Sequence, residues 1–332
     1  MTHALASHTR LAHGLRRAAA LLAGLAVAGS AFALDLQGHR GARGLAPENS
    51  LAAFEIAMQH GVTTLELDIA ITKDGVLVIH HDLELNPAYA RDASGQWLAK
   101  PSAPIHTMTW AELQTYDIGR LNPAARYGKA YPDQKPIDGT RIPRLSDLFD
   151  LVKRLGKDKI RFAIETKVRA DSPDKTLAPE PYATAVVNEI RKAGMQHRAQ
   201  VMSFDWRTLQ VIQRIAPEIP TVYLSSQQNW GDNIAAGKPE GSAWTAGFQY
   251  KDHGSVPKMI KAAGGRYWSV FHGDLDADKL KEAQALGIKV LVWTINDAPT
   301  MGRFVDMGVD GLITDRPDIA QTVLRERRIV PE

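Results

Sequence analysis

KVLVWTINDAPTMGRFVDMGVDGLIT, residues 289–314, contains the unit that decides the fold. A continuous apolar run (289–295) leads into a helix-length amphipathic stretch (300–307) that stops at Gly308, and a second apolar run (311–314) follows. Apolar runs that do not alternate with polar residues belong to strands covered on both faces, and a helix between two of them implies a parallel crossover. Toward the N-terminus the pattern recurs. Apolar runs at 34–38, 64–71, 76–80, 160–165, 199–204, 221–225 and 267–272 are separated by helical segments at 50–60, 146–155, 181–193, 206–215, 256–263 and 276–286. Gly61, Gly194, Gly264, Gly265 and Gly287 punctuate the joints. Residues 34–332 are enough for one α/β barrel, which typically needs about 250.

A closed barrel takes eight strands, whereas nine candidates are present. The excess lies at 64–80, where Lys73-Asp74-Gly75 separates two apolar runs with no helix between them. Asp-Gly between apolar runs signals a hairpin. Folding about that turn pairs positions whose numbers sum to about 149, which sets Asp68 beside His81 and Glu66 beside Asp82. The alternative is that the second run crosses back and joins the barrel in parallel. Residues 83–144, rich in Pro, Ala, Tyr and Asp, break the alternation and are too long for a bare loop. They are expected to form a small subdomain inserted at the loop face, with an interdomain linker as the alternative.

The chain has 332 residues, 40 Lys plus Arg against 37 Asp plus Glu, and no Cys. The absence of Cys excludes disulfides, thiolate metal centres and thiol nucleophiles. The +3 surplus is located entirely in residues 1–33, which hold Arg10, Arg16 and Arg17 and no carboxylate; removing these three leaves 37 basic residues against 37 acidic ones. A balanced body offers no general electrostatic case for nucleic acid or an anionic membrane surface. Arg16-Arg17, the apolar run Ala18–Gly29 and Ala31-Phe32-Ala33 together read as a cleaved secretory leader (1–33), so the body (34–332) is expected in a bacterial periplasm without a stable membrane anchor. An uncleaved anchor is the competing reading, but the run has about a dozen residues where a span needs about 20. The twin-arginine and general secretory routes both remain open.

Several strand ends carry chemistry. His39-Arg40-Gly41 closes the first strand; Glu66 and Asp68 lie two apart on the second and share a face; Glu165 and Lys167 repeat that spacing on the fourth. Buried like charges cost several kcal/mol unless a cation is near, so either a hard divalent metal or a Lys/Arg pair is implied. His80-His81-Asp82 ends the hairpin. Strand alternation sends the two histidines to opposite faces, and the expected register favours His81. Two histidines beside a metal and the cations Arg40 and Lys167 suit phosphoryl transfer, one histidine taking a proton from the nucleophile and the other giving one to the leaving oxygen. By itself, Pro47-Glu48-Asn49-Ser50 is accounted for by helix initiation. Phe204 and Trp293 are either pocket lining or plain barrel core, and Asn296 and Asp315 read as loop-stabilising.

HRG (39–41), PENS (47–50), ELDI (66–69), TKDG (72–75), IHHD (79–82), the Glu165/Lys167 pair, VWTIN (292–296) and TDRP (314–317) together resemble the glycerophosphodiester phosphodiesterase family, in order across residues 35–325. The resemblance implies a distorted TIM (β/α)8 barrel with a small insertion. It implies His39 and His81 as the general acid/base pair, Glu66, Asp68 and Glu165 as ligands of one divalent cation, and Arg40 and Lys167 as phosphate contacts. The implied reaction is hydrolysis of a small soluble glycerophosphodiester to sn-glycerol 3-phosphate and an alcohol, through attack of the vicinal glycerol hydroxyl and a cyclic phosphate. The leader tilts the cation toward Ca²⁺ over Mg²⁺. Ser50 stands where Thr is more usual, and His80 where an apolar or aromatic residue is commoner. Two other readings are a lyase or lipid-directed relative that accumulates the cyclic phosphate, and a non-catalytic binder of phosphorylated small molecules. The second has no need of a paired acid and base.

Overall fold

The computed structural model describes residues 34–332; the expected leader lies outside them. Strand β1 (Asp35–Gly38), helix α1 (Leu51–Gln59) and strand β2 (Thr64–Ile71) make the first crossover, and a short strand β3 (Leu77–Ile79) follows. After α2 (Trp110–Leu113) the chain runs through α3 (Leu145–Arg154), β4 (Arg161–Thr166), α4 (Pro179–Ala193), β5 (Ala199–Ser203), α5 (Trp206–Ile215) and β6 (Thr221–Ser225). A two-stranded hairpin, β7 (Gln227–Gln228) and β8 (Gly231–Asp232), precedes α6 (Tyr250–His253) and α7 (Val256–Ala262). The remainder is β9 (Tyr267–Phe271), α8 (Ala277–Ala285), β10 (Lys289–Trp293), α9 (Ala298–Met307), β11 (Gly311–Thr314) and α10 (Pro317–Glu326).

Eight strands pair in parallel in the order β1-β2-β4-β5-β6-β9-β10-β11, and β11 closes on β1 from Asp35↔Gly311 to Gly38↔Thr314. The fold is a TIM barrel. Every residue of β2 is buried, and its two faces differ. Leu65, Leu67 and Ile69 join the large apolar layer between strands and helices, with Phe54, Phe162 and Leu148, while Glu66 and Asp68 alternate with them. A smaller cluster, Ala163, Met202, Val222, Leu224, Leu291 and Ile313, is joined by Phe204, Tyr267 and Trp293. These positions lie on strands around the barrel and fill its interior. Helix starts are fixed locally: Ser50 Oγ accepts from the Ala53 N–H (3.1 Å), and Asp205, Asp276 and Asp297 accept likewise at α5, α8 and α9.

The ninth strand is antiparallel and outside the closed ring. Because β1 is only four residues long it pairs with β2 at Thr64 and Leu65 alone, and β3 takes the vacant edge further along β2. Its register corrects the expected one by a residue. Ile69 faces Ile79 and Ile71 faces Leu77, so paired numbers sum to 148, and the backbone of Asp68 meets His80, whose N–H donates to the Asp68 carbonyl (2.9 Å). The cause is the turn, which has three residues instead of two. Thr72 N–H donates to the Val76 carbonyl (3.0 Å), and Lys73-Asp74-Gly75 closes with Gly75 at φ +79°, the left-handed residue that ends such a loop.

Residues 83–144 contain little regular structure beyond α2 and carry a small core of their own. Leu85, Ala90, Ile105, Met108, Leu113, Ile118 and Ile142 pack on Ala70 and Val78 of the β2–β3 hairpin. Helix α10 and the β7–β8 hairpin are further additions that the apolar alternation did not indicate. Among the described residues no helix is long and apolar enough to cross a membrane.

Candidate active site

The parallel register of β2 and β4 sets Asp68 beside Glu165, and with Glu66 they form a buried trio whose carboxylate oxygens lie within 4.8 Å of one another. Lys167 Nζ is 2.5 Å from Glu165 Oε1 and 2.9 Å from Asp68 Oδ1. Arg40 Nε is 3.3 Å from Asp68 Oδ2, while its Nη1 donates to Glu48 Oε1 (2.8 Å); Asn49 Nδ2 donates to Asp68 Oδ2 (2.9 Å). Burial alone would raise the Asp68 carboxyl, but Lys167, His81 and Arg40 outweigh it and hold the group well below the usual range. Glu66 is different. It accepts the Arg40 backbone N–H (2.9 Å), and its nearest cationic side-chain candidate is His39 Nε2 at 3.9 Å. Burial first, then Asp68 and Glu165, push its carboxyl well above the ordinary value, and burial raises Glu165 as well despite Lys167. Two side-chain cations therefore leave the trio under-neutralised. An all-oxygen donor set of this kind fits a hard divalent cation.

Backbone geometry at His39-Arg40-Gly41 delivers these contacts. Arg40 is left-handed (φ +52°), a conformation that costs a non-glycine residue about 1 kcal/mol and turns its N–H onto Glu66. Gly41 follows at φ +83°, and a Cβ there would fall 2.6 Å from the Ala53 carbonyl carbon. Asn49, also left-handed (φ +55°), donates its N–H to the Arg40 carbonyl (3.0 Å). Ser50 caps α1 as expected. Glu48 and Asn49 do more than start a helix, since they grip Arg40 and Asp68.

Both candidate histidines are oriented through Nδ1. His39 Nδ1 lies 2.7 Å from Asp315 Oδ1; Asp315 also receives Arg43 Nε (2.8 Å), Arg43 Nη2 (3.0 Å) and Asn296 Nδ2 (2.7 Å). With the Nδ1 proton given to Asp315, Nε2 is the basic nitrogen. Burial, then Arg43, lower the His39 pKa to about 4 against the pull of Asp315, so the ring is neutral at pH 7. His81 Nδ1 lies 2.6 Å from Asp82 Oδ1, and Asp82 Oδ2 accepts from Asn86 Nδ2 (2.8 Å) and the Tyr89 hydroxyl (3.0 Å). Burial, then Arg40 and Lys167, lower His81 to about 4 as well, although nearly a third of its side chain is open. His80 takes the other direction. It is buried against Tyr89 with no hydrogen-bond partner at Nε2. His81 reaches the cavity although the ladder pairs His80 with Asp68, because β3 ends at Ile79 and the chain leaves the sheet there.

These groups open into a cavity of about 670 Å³ at the C-terminal ends of the strands. Its lining includes the polar groups Arg40, His81, Asp82, Glu165 and Lys167 and the aromatic residues Phe204, Trp230, Trp244 and Trp293. His39 is not on the wall and meets the site through Glu66. The inserted segment reaches in as well: the Tyr127 hydroxyl bonds Glu48 and accepts from Arg43 Nη1 (3.0 Å). Sequence patterning did not indicate Glu48, Asn49, Asp82 or Tyr127 as parts of the site, nor Asp315 as the partner of His39. Asn49, Tyr127 and Asp315 meet residues 19 to 276 positions away, whereas Glu48 reaches Arg40, and Asp82 reaches His81, Asn86 and Tyr89, within eight positions.

Residues 39–319 match the model of the glycerophosphoryl diester phosphodiesterase family. The chain belongs to that family. A Bacillus subtilis (strain 168) glycerophosphodiester phosphodiesterase is 27% identical over 290 residues, covering 86% of this chain and 84% of that protein. A solved structure from Silicibacter pomeroyi DSS-3, assigned to the same family, superposes with a TM-score of 0.79 at 33% identity, covering 89% and 94%. An Oleispira antarctica phosphodiesterase solved with its product sn-glycerol-3-phosphate shares the fold, with a TM-score of 0.64 at 22% identity and coverage of 89% and 98%. As a member of this family the chain is a glycerophosphodiester phosphodiesterase.

Proposed function

We propose that the enzyme works with one divalent cation and a pair of histidines, releasing sn-glycerol 3-phosphate and an alcohol from a small soluble glycerophosphodiester. The observation that carries this reading is the buried trio Glu66, Asp68 and Glu165, flanked by two neutral imidazoles each tied by Nδ1 to a carboxylate. Glu66, Asp68 and Glu165 would hold the cation, which when bound supplies charge stabilisation to the phosphate oxygens. Ca²⁺ is favoured over Mg²⁺ on the strength of the expected export. Export to the periplasm is part of the proposal, supported by the run before Leu34. The family relationship and the product found in the Oleispira relative support the substrate class.

Arg40 and Lys167 would meet the anionic diester, each already braced by carboxylates that fix its position. One imidazole takes the proton of the vicinal glycerol hydroxyl as that oxygen attacks phosphorus; the other gives a proton to the departing alcohol oxygen. The donor must first gain a proton, which the negative charge of the bound diester favours. Water then opens the cyclic phosphate with the roles reversed. The test is product analysis by phosphorus NMR with wild-type, His39→Ala and His81→Ala protein. The reading expects glycerol 3-phosphate as the final product and loss of turnover in both variants; a cyclic phosphate that accumulates, or full activity in either variant, overturns it.

A further inference from the structure

The inserted segment 83–144 meets the reacting groups through two tyrosines, neither of which is part of the cavity lining. Tyr127 opens a single turn of 3-10 helix (Tyr127–Lys129), packed so closely that a Cβ on Gly128 would run into the Asn122 carbonyl. Its hydroxyl donates to Glu48 Oε2 and accepts from Arg43 Nη1 (3.0 Å). Two chains of contacts diverge from it. Glu48 Oε1 holds Arg40 Nη1 (2.8 Å); Arg43 holds Asp315 through Nε (2.8 Å) and Nη2 (3.0 Å), and Asp315 holds His39 Nδ1 (2.7 Å). Tyr89 makes a third chain, its hydroxyl donating to Asp82 Oδ2 (3.0 Å) while Asp82 Oδ1 lies 2.6 Å from His81 Nδ1. The rings stand in a row, Tyr89 to Tyr127 at 5.8 Å and Tyr127 to Tyr131 at 5.3 Å, with the Arg43 guanidinium 4.7 Å over Tyr131. The row is fastened to the barrel. Gln134 Nε2 donates to the Arg43 carbonyl (2.8 Å), Lys135 N–H to the Leu45 carbonyl (2.9 Å), and Asp133 pairs with Arg316 (2.7 Å).

We propose that Tyr127 is a positioning residue for the reaction, setting Arg40 and His39 together, and that Tyr89 does the same for His81. The proposal rests on the reading above, in which Arg40 meets the phosphate and the two histidines move protons. Glu48, Arg43 and Tyr89 are buried, and a hydroxyl bonded to an ionised group makes a charge-assisted hydrogen bond of fixed direction. Glu48 has one oxygen on Arg40 and the other on Tyr127. Without the hydroxyl the carboxylate is free to turn, and Arg40 Nη1 turns with it. Arg43 is a planar fork with Nη1 on Tyr127 and its other two nitrogens on Asp315, so fixing one end of the fork aims the other. Small errors in the placement of reacting groups are costly, about 10²-fold for a displacement of about 1 Å. Packing alone would need only the rings of these tyrosines. Their hydroxyls are spent on the groups that orient the catalytic side chains.

The experiment is steady-state kinetics on glycerophosphocholine, at a temperature where circular dichroism shows every variant folded. The variants are Tyr127→Phe, Tyr89→Phe, Asp315→Asn and the double variant Tyr127→Phe/Asp315→Asn, with Tyr116→Phe as the control because Tyr116 packs on the insertion's own small core. Tyr127→Phe should lower kcat about fivefold or more and raise KM about threefold, whereas Tyr89→Phe should lower kcat and leave KM within about twofold. Tyr116→Phe should change neither by more than about twofold. In the Asp315→Asn background the kcat effect of Tyr127→Phe should shrink below about twofold, since the chain to His39 is already broken, while its effect on KM through Arg40 persists. Unchanged kcat in Tyr127→Phe or Tyr89→Phe, an equal kcat loss from Tyr127→Phe in both backgrounds, or an equal loss in Tyr116→Phe overturns the proposal. His39→Ala and His81→Ala are assayed alongside. Full turnover in either removes the histidine reading and this proposal with it; inactive alanine variants beside an unimpaired Tyr127→Phe remove the positioning role alone.

Discussion

Asp315 holds His39 by a 2.7 Å contact to Nδ1 although 276 residues separate the two in sequence. The contact spans the seam where β11 closes on β1, so closure of the barrel and orientation of the imidazole are the same event. Asp315→Asn keeps the shape and removes the charge that fixes the tautomer. General acid–base catalysis is worth about 10²–10⁴-fold. We expect kcat to fall at least about tenfold with KM little changed; unaltered kcat would mean that Asp315 does no more than brace its loop.

The same carboxylate sets a pH signature in stability. Burial would raise the Asp315 pKa, but Arg43 and His39 outweigh it and depress the group well below its unfolded value of about 3.9. A depressed acid contributes stability above the unfolded pKa and loses it as pH falls toward the folded one. The gap in melting temperature between wild type and Asp315→Asn should be constant from about pH 7 to 5 and shrink below about pH 4. A gap that widens in acid contradicts the assignment.

His39→Ala and His81→Ala should each lower kcat by about 10²–10⁴-fold while the melting temperature stays close to wild type. His80→Ala is the informative contrast. His80 is 2% exposed and makes no catalytic contact, so its loss should appear mainly as reduced thermal stability, with kcat nearly retained. Reversal of the two profiles would reassign the catalytic histidine.

Gly75 lies in open space, with nothing within 4 Å of an added Cβ, yet its φ is +79°. Gly75→Ala should therefore cost about 1–2 kcal/mol through backbone conformation alone. Thermal or urea unfolding measures it. No loss of stability would argue for a different turn, and so for a different register of β3.

Which parts of the fold and site are legible in the sequence follows from how locally each signal is carried. The repeated apolar strand and amphipathic helix carry their signal locally, so the barrel and most element bounds are legible at 289–314 and outward from it. Glu66, Asp68 and Glu165 are legible too, because two carboxylates on one buried strand face are costly wherever they occur. The β3 register slipped by one because Asp74-Gly75 is equally compatible with a two- or three-residue loop. Glu48, Asn49 and Asp315 went unread as site residues because a cap or loop role satisfies each of them within its own segment. Trp230 gave no periodic signal, since it belongs to a hairpin of two-residue strands.

The account stands or falls on the cation held by Glu66, Asp68 and Glu165. The most direct measurement is release of glycerol 3-phosphate from glycerophosphocholine by chelator-stripped protein, before and after stoichiometric Ca²⁺. The account predicts negligible release before addition and recovery after it, with no recovery in Glu66→Gln; an undiminished rate in excess chelator would contradict it.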